Sequence, residues 1–225
     1  MNGPVKKRPY RSTLRTEQAR ATRLRIIDAA RELFLQNGYP STTLDQIGRR
    51  AGVATDTVLH VFGSKKGLLA AVGDVTVVGD DAPVSVLERD EPQAMRAETD
   101  QRRQIEMFTR GMTEQLDRIR PMDDILRSAA AVDADARALR EDVQLRQRRG
   151  AMDVVASWIA ANGELRDGLS TAEAGAIIWT LTSPEVHQML RDHAGWDAER
   201  YREWLNATLQ RTLIAEGEGV EGGAK

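Results

Sequence analysis

The chain has 225 residues, 41% apolar and 29% charged, with no cysteine and a formal net charge of −2. That length holds one large or two modest domains with a real core. The lack of cysteine excludes disulfides, thiol nucleophiles, iron–sulfur clusters and Cys-type zinc sites, and no apolar run approaches the roughly 18–20 residues that a bilayer requires.

The net charge conceals a split. Residues 1–70 carry 13 Lys and Arg against 5 Asp and Glu, and the remainder carries 19 against 29, so one part suits a polyanion and the other does not. Residues 1–16 read as a flexible basic arm, with Arg8 and Arg11 among its charges and two prolines but no apolar periodicity. No apolar stretch follows this arm, so it does not read as a secretory signal, and a reducing cytoplasm is the expected compartment.

From Glu17 to Asn37 the pattern turns helical, with Leu24, Ile27, Ala30, Leu33 and Phe34 on one face. The stretch NGYPS stops that helix. Thr43 then offers an N-cap, and Gln46 completes a capping box for a helix from Leu44 to about Arg50, ending at Gly52. A very short helix is predicted from about Thr55 to Val61. Ser64 caps a fourth helix, from Lys65 to about Val77.

Residues 79–92 read as a polar loop. Beyond them the periodic stretches are helical at roughly 95–119, 122–132, 134–161, 171–182, 184–193 and 198–215, with Pro121 and Pro184 expected in first turns. The Gly/Glu-rich residues 216–225 read as a disordered tail. No repeat and no convincing strand is visible. The expected fold is therefore all-α: a three-helix, homeodomain-like helix-turn-helix head (17–64) followed by a larger helical bundle (65–215).

A helix, a tight turn and a second short helix packed on a longer first helix make up the helix-turn-helix plan. Ala51 and Gly52 are small enough for the turn. Val53, Val58 and Phe62 are expected to face Ile27, Phe34, Leu44 and Ile47, leaving Thr55, Thr57, Leu59 and His60 outward at the width of a major groove. Lys65 adds a charge at the start of the fourth helix, where free backbone N–H groups favour a phosphate. Each has a plainer role open to it: Thr43 as a cap, Thr55 and Thr57 as solvated helix-start residues, His60 as a merely exposed side chain.

Residues 19–69, ARATRLRIIDAARELFLQNGYPSTTLDQIGRRAGVATDTVLHVFGSKKGLL, resemble the DNA-binding domain of the tetracycline-repressor-like (TetR) family of bacterial regulators. The matching features are IIDAARELFLQNGY, TTLDQI, AGV, the Thr57–Val58 pair, Phe62, and SK followed by LL. The resemblance implies that Thr43, Thr57 and Lys65 contact the DNA backbone, with Thr55 and His60 nearer the bases. The chain departs from the family pattern at Leu59, where a phosphate-binding tyrosine is usual. It departs also at Val61, where a second aromatic is common, and at Gly48, where alanine is usual.

The family resemblance also implies a ligand cavity and a dimer face in the C-terminal two-thirds. Phe108 and Met112, Met122 with Leu126, Met152, Val155 and Trp158, and Ile178 and Trp179 form apolar stripes that read first as plain core and would also suit a fairly apolar small molecule, with Arg127 or His187 as its polar anchor. The last two long helices, with Trp196, Tyr201, Trp204, Leu205 and Leu209, are expected either to pair with a two-fold copy or to close the chain's own core.

Other motifs fail on context. GEGVEG at 217–222 has no strand before it, DADARALRE from Asp133 lacks the glycine of a calcium loop, and neither a G-x-S-x-G elbow nor a P-loop occurs. No enzyme, metal or cofactor is expected. The expected partners are a palindromic double-stranded DNA operator, a small-molecule effector that tilts the fourth helix, and a second copy of the chain, with no membrane. An effector-independent dimeric architectural protein is the alternative.

Overall fold

The computed structural model describes residues 10–79 and 84–215. They are helical throughout, with short turns and one isolated antiparallel bridge between Leu165 and Ile214. The chain divides into two compact units: residues 1–81 with 124–137, and residues 82–123 with 138–225. The 216–225 tail expectation lies outside the described residues.

In the first unit α1 (Tyr10–Asn37) starts well before Glu17. No glycine or proline interrupts the sequence between these points, and Arg, Leu, Glu and Gln favour the helix, so nothing in the basic stretch stops it growing back. It ends where Gly38 turns left-handed at φ 76°. Thr42 is fully buried and its hydroxyl donates to the carbonyls of Gly38 (2.8 Å) and Leu33 (3.1 Å), fixing the turn that follows.

The capping box then starts α2 (Leu44–Ala51): Gln46 N–H donates to Thr43 Oγ1 at 3.2 Å, and Thr43 N–H donates back to Gln46 Oε1 at 2.8 Å. Gly52, at φ 69°, closes it and leads into α3 (Thr55–Phe62). Ser64 Oγ accepts from Gly67 N–H at 3.0 Å and starts α4 (Lys65–Val78). Ile26, Ile27 and Phe34 of α1, Ile47 of α2, Val58 of α3 and Leu68 of α4 are buried together at the centre of the unit. Burial of each such side chain stabilises the fold by about 1.5–3 kcal/mol relative to exposure.

The second unit begins with a 3₁₀ turn (Val86–Glu88) and α5 (Asp90–Ala97), so helix intrudes on the expected 79–92 loop. Residues 80–83 of that loop lie outside the described residues. α6 (Gln101–Val132), whose residues from 124 on fall in the first unit, overturns the expected break at Pro121, which sits inside one continuous helix. Proline there removes the N–H that would serve the Asp117 carbonyl, at a cost of about 3 kcal/mol. The buried Leu116, Met122 and Ile125 around it supply apolar burial of comparable size.

The expected 134–161 helix is realised as α7 (Ala134–Glu141), a π-helical segment (Asp142–Arg148) and α8 (Arg149–Ala161). A capping box between Ser170 and Glu173 starts α9 (Thr171–Leu181). Ser183 caps α10 (Pro184–Gln188), where Pro184 takes the expected first-turn place, and a second π-helical segment (Met189–His193) follows. Asp197 caps α11 (Ala198–Leu213).

Two glycines of α4 make opposite predictions. A Cβ on Gly67 would lie 2.2 Å from the Phe62 carbonyl oxygen, whereas one on Gly73 meets nothing within 4 Å. In urea unfolding of the full chain followed by circular dichroism, Gly67→Ala is expected to destabilise by about 1–3 kcal/mol. Gly73→Ala is expected to be neutral or to stabilise by up to about 1 kcal/mol through helix propensity.

Candidate nucleic-acid interface

Eight residues make a helix too short to persist alone in water, so α3 is held by its neighbours. Val58 is its buried anchor. Phe62, at its end, is half-buried beneath the Arg23 guanidinium, 4.8 Å from the ring centroid. With that face committed, Leu59 is 40% exposed, His60 is exposed, and Thr55 and Thr57 are half-buried. Ala54, the N-cap, offers no side-chain bond, and its carbonyl accepts from Thr57 and Val58 N–H at 3.0 and 3.3 Å.

The turn before α3 is close. Val53 N–H donates to the Gly48 carbonyl at 2.9 Å, and a Cβ on Gly48 would stand 2.9 Å from the Val53 oxygen. The glycine that departs from the family's alanine thus sits where the backbones of α2 and the turn meet.

Lys65 is half-buried. Its ammonium lies 4.2 Å from the Tyr39 ring centroid and donates to the Pro40 carbonyl at 3.4 Å. Burial lowers its pKa, opposed by the charge of Asp133. Tyr39 packs on Phe34 (centroids 5.5 Å apart), and burial together with Asp133 and Asp135 pushes its hydroxyl up to about 12. Lys66 pairs with Asp135 at 3.2 Å.

The two arginines closing α2 have different partners. Arg49 reaches Asp45 on its own helix (2.8 Å). Arg50 donates from Nε and Nη2 to both oxygens of Glu32 on α1, at 3.0 and 2.7 Å, and this hydrogen bonding holds the Glu32 carboxyl below its usual range. The clamp between α1 and α2 was not foreseen from sequence; an acid 18 positions away carries no local signal.

Thr43, Thr55, Thr57, Leu59, His60 and Lys65 all belong to this unit, on α3 or at the starts of α2 and α4. Arg8 and the side chain of Arg11 lie outside what the structure describes.

In the second unit, the candidate effector residues Phe108, Met112, Met152, Val155 and Ile178 are buried in one apolar cluster, with Trp158 and Trp179 packed on its margin. Met122 is buried, and Leu126, which falls in the first unit, is half-buried; neither belongs to that cluster. Two surface concavities of this unit, about 720 and 410 Å3, are lined by residues of the 160–170 loop and by Glu106, Arg110 and Arg202 among others; no candidate effector residue lines either. Tyr201, Leu205 and Leu209, expected at a two-fold contact or in the core, are 0% exposed within the single chain. Alternation around α11 turns them inward and leaves Trp204 half-buried, in edge contact with Trp196 at 5.9 Å.

Residues 26–72 match the family model for bacterial regulatory proteins of the tetR family. The uncharacterized HTH-type transcriptional regulator TtgW of Pseudomonas putida is 51% identical over 55 residues, 24% of this chain and 41% of that one. The chain thus spans less than half the length of that relative. Two solved structures share the fold over most of their length. NalD, the secondary repressor of the MexAB-OprM multidrug efflux pump in Pseudomonas aeruginosa, has a TM-score of 0.60 and 21% identity, over 86% of this chain and 97% of NalD. FadR from Bacillus subtilis in complex with stearoyl-CoA has a TM-score of 0.61 and 17% identity, over 83% and 96%.

Removing the Thr43 hydroxyl tests its capping role without DNA. Thr43→Ala is expected to cost about 1 kcal/mol in unfolding free energy, and Thr43→Ser, which keeps the acceptor, to cost less; equal losses in the two variants would separate the hydroxyl from the cap.

Proposed function

We propose, from a chain that belongs through its head to the TetR family of bacterial regulatory proteins, that it is a one-component transcriptional regulator acting as a repressor. Two copies hold two α3 helices on successive major grooves of a palindromic operator, because one eight-residue helix discriminates too few base pairs alone. The observation that carries this reading is the division of α3 by the buried Val58, which leaves Leu59 and His60 facing outward beside Thr55 and Thr57.

On the operator, Thr43, Thr57 and Lys65 bind backbone phosphates, His60 and Thr55 face base edges, and Leu59 lies against a thymine methyl. Arg8 and Arg11 follow the backbone or a minor groove. The protein acts in the cytoplasm, where the operator is.

Release follows when a small molecule binds the second unit and favours a conformation that holds DNA less well. A preference of about 1–3 kcal/mol suffices for a 5- to 150-fold change in operator affinity. The cluster around Phe108, Met112, Met152, Val155, Ile178, Trp158 and Trp179 supplies the apolar surroundings. The stearoyl-CoA complex of FadR supports a ligand in a protein of this fold. The close burial of the same cluster favours a second reading, an effector-independent dimeric DNA-binding protein whose C-terminal unit only assembles the pair.

The test begins with duplexes selected from a random pool by the purified full chain. Thr57→Ala and Lys65→Ala are expected to weaken binding to the selected duplex, and Lys65→Ala to reduce the slope of log K against log salt by about 0.9. Unchanged affinity in both variants contradicts the placement of α3. Failure to select any sequence contradicts the function.

A further inference from the structure

The second unit contains a polar cluster that DNA reading does not use. Arg148, which ends the π-helical segment Asp142–Arg148, donates from Nη2 to the Trp179 carbonyl and to Thr182 Oγ1 (2.9 Å). Its Nη1 donates to Gln144 Oε1 at 3.3 Å. Trp179 Nε1 in turn donates to the Gln144 carbonyl at 3.1 Å. Of the five guanidinium N–H donors, two are left over.

The arginine also lacks a counter-charge. Burial lowers its pKa to about 10, and Glu185 and Asp123 oppose that only at longer range. Acids near the cluster have cations of their own: Glu185 pairs with Arg140, Asp192 with Arg120, and Asp117 with Arg191 at 3.3 Å. Among the described residues, none of the ion pairs in this unit includes Arg148.

One further group is buried without a partner. Tyr201 on α11 is 0% exposed and its hydroxyl makes no hydrogen bond. Burial raises its pKa, so the hydroxyl keeps its proton, and the charge of Arg148 reaches it. His187 stands edge-on to Tyr201, centroids 4.9 Å apart. Its Nε2 pairs with Asp117 Oδ1 at 3.1 Å. Thr182 Oγ1 also touches Met152 Sδ at 3.8 Å and donates to the Ile178 carbonyl, which ties the polar cluster to the apolar one. The second π-helical segment, Met189–His193, supplies Arg191 to the same region. Departures from α-helix of this kind recur at functional sites.

We infer that this cluster is the polar end of the effector site and that the effector is a carboxylate with an apolar body. The carboxylate sits on the two spare donors of Arg148, with the Tyr201 hydroxyl as the next donor, and the body lies along Met152 and Ile178. Asp117 does not repel it, because Arg191 already neutralises that acid. The inference rests on the reading of the chain as an effector-controlled regulator.

The experiment uses the full chain and straight-chain carboxylates from acetate to decanoate, each beside its primary amide. Thermal unfolding, tryptophan fluorescence and retention of the selected duplex are read together. The longer carboxylates are expected to stabilise the wild type and release DNA, and the amides to bind about tenfold more weakly or worse. Arg148→Gln is expected to abolish that preference. Tyr201→Phe is expected to unfold at or above the wild-type temperature without ligand, since its hydroxyl has no partner to lose, and yet to bind the carboxylates more weakly.

Equal binding of acid and amide overturns the inference, as does undiminished carboxylate binding by Arg148→Gln and Tyr201→Phe, or no response to any carboxylate. In each case DNA binding by the wild type leaves the regulator reading standing. If instead the wild type selects no duplex while carboxylates bind in the expected pattern, the regulator reading fails and the anion site stands.

Discussion

The head depends on the packing of one valine. An eight-residue helix has almost no stability of its own, so the direction of α3 is set by whatever buries its apolar face. Val58 is wholly inside, as are Ile26, Ile27, Phe34, Ile47 and Leu68 of the same unit, and a helix pinned at that position must turn Leu59 and His60 outward. The capping box at Thr43, the left-handed Gly52 and the Arg50–Glu32 clamp serve this arrangement. They fix where α2 begins, where it ends and how it lies on α1. Once those are fixed, a turn as tight as the one at Gly48 and Val53 leaves α3 one place to go.

Electrostatics then sort the cations of the head by their freedom to meet a polyanion. Arg50 is committed to Glu32 through two hydrogen bonds, and Arg23 to the face of Phe62. Arg49 and Lys66 sit in exposed pairs with Asp45 and Asp135, a class of interaction weak enough to yield to a phosphate. Lys65 is the distinct case. Stacked on Tyr39 and bonded to the Pro40 carbonyl, its side chain is already oriented, so the proposed phosphate contact would cost it little further rotamer entropy. The net +8 of residues 1–70 is therefore a poorer guide to DNA affinity than the subset of charges without a strong internal partner.

Much of this was legible in the sequence because the signals are local. Thr43 with Gln46, Ser64, Gly38 and Gly52 act within a few residues of where they stand, and each is realised. What was not legible depends on contacts far along the chain. The start of α1 at Tyr10 reflects helix growth where nothing in the sequence opposes it, whereas the passage of α6 through Pro121 persists against an opposing signal because apolar side chains along that helix are buried. The inward face of Tyr201, Leu205 and Leu209 follows from packing with Phe108, Met152 and Ile178, 50 to 100 positions earlier in the case of the first two. Periodicity predicts that a stripe is buried; it carries no information on whether the chain itself or a second copy buries it. Of the polar cluster only His187 stands out in the sequence, as a polar group among apolar stripes; Arg148, Thr182 and Tyr201 sit on separate elements and carry no local signal.

That cluster is costly for the folded chain as it stands. A buried donor or acceptor without a partner costs about 1–3 kcal/mol, and the Tyr201 hydroxyl answers that description. A largely desolvated arginine without a carboxylate adds to the cost, and apolar residues of similar volume in such places are often neutral or stabilising. Stability therefore gives no reason to keep these groups, and hydrogen bonding within the chain only part of one. The cost is offset if a ligand completes the bonding. An anion that satisfies Arg148 and Tyr201 then gains charge-assisted hydrogen bonds that a neutral analogue of the same shape does not.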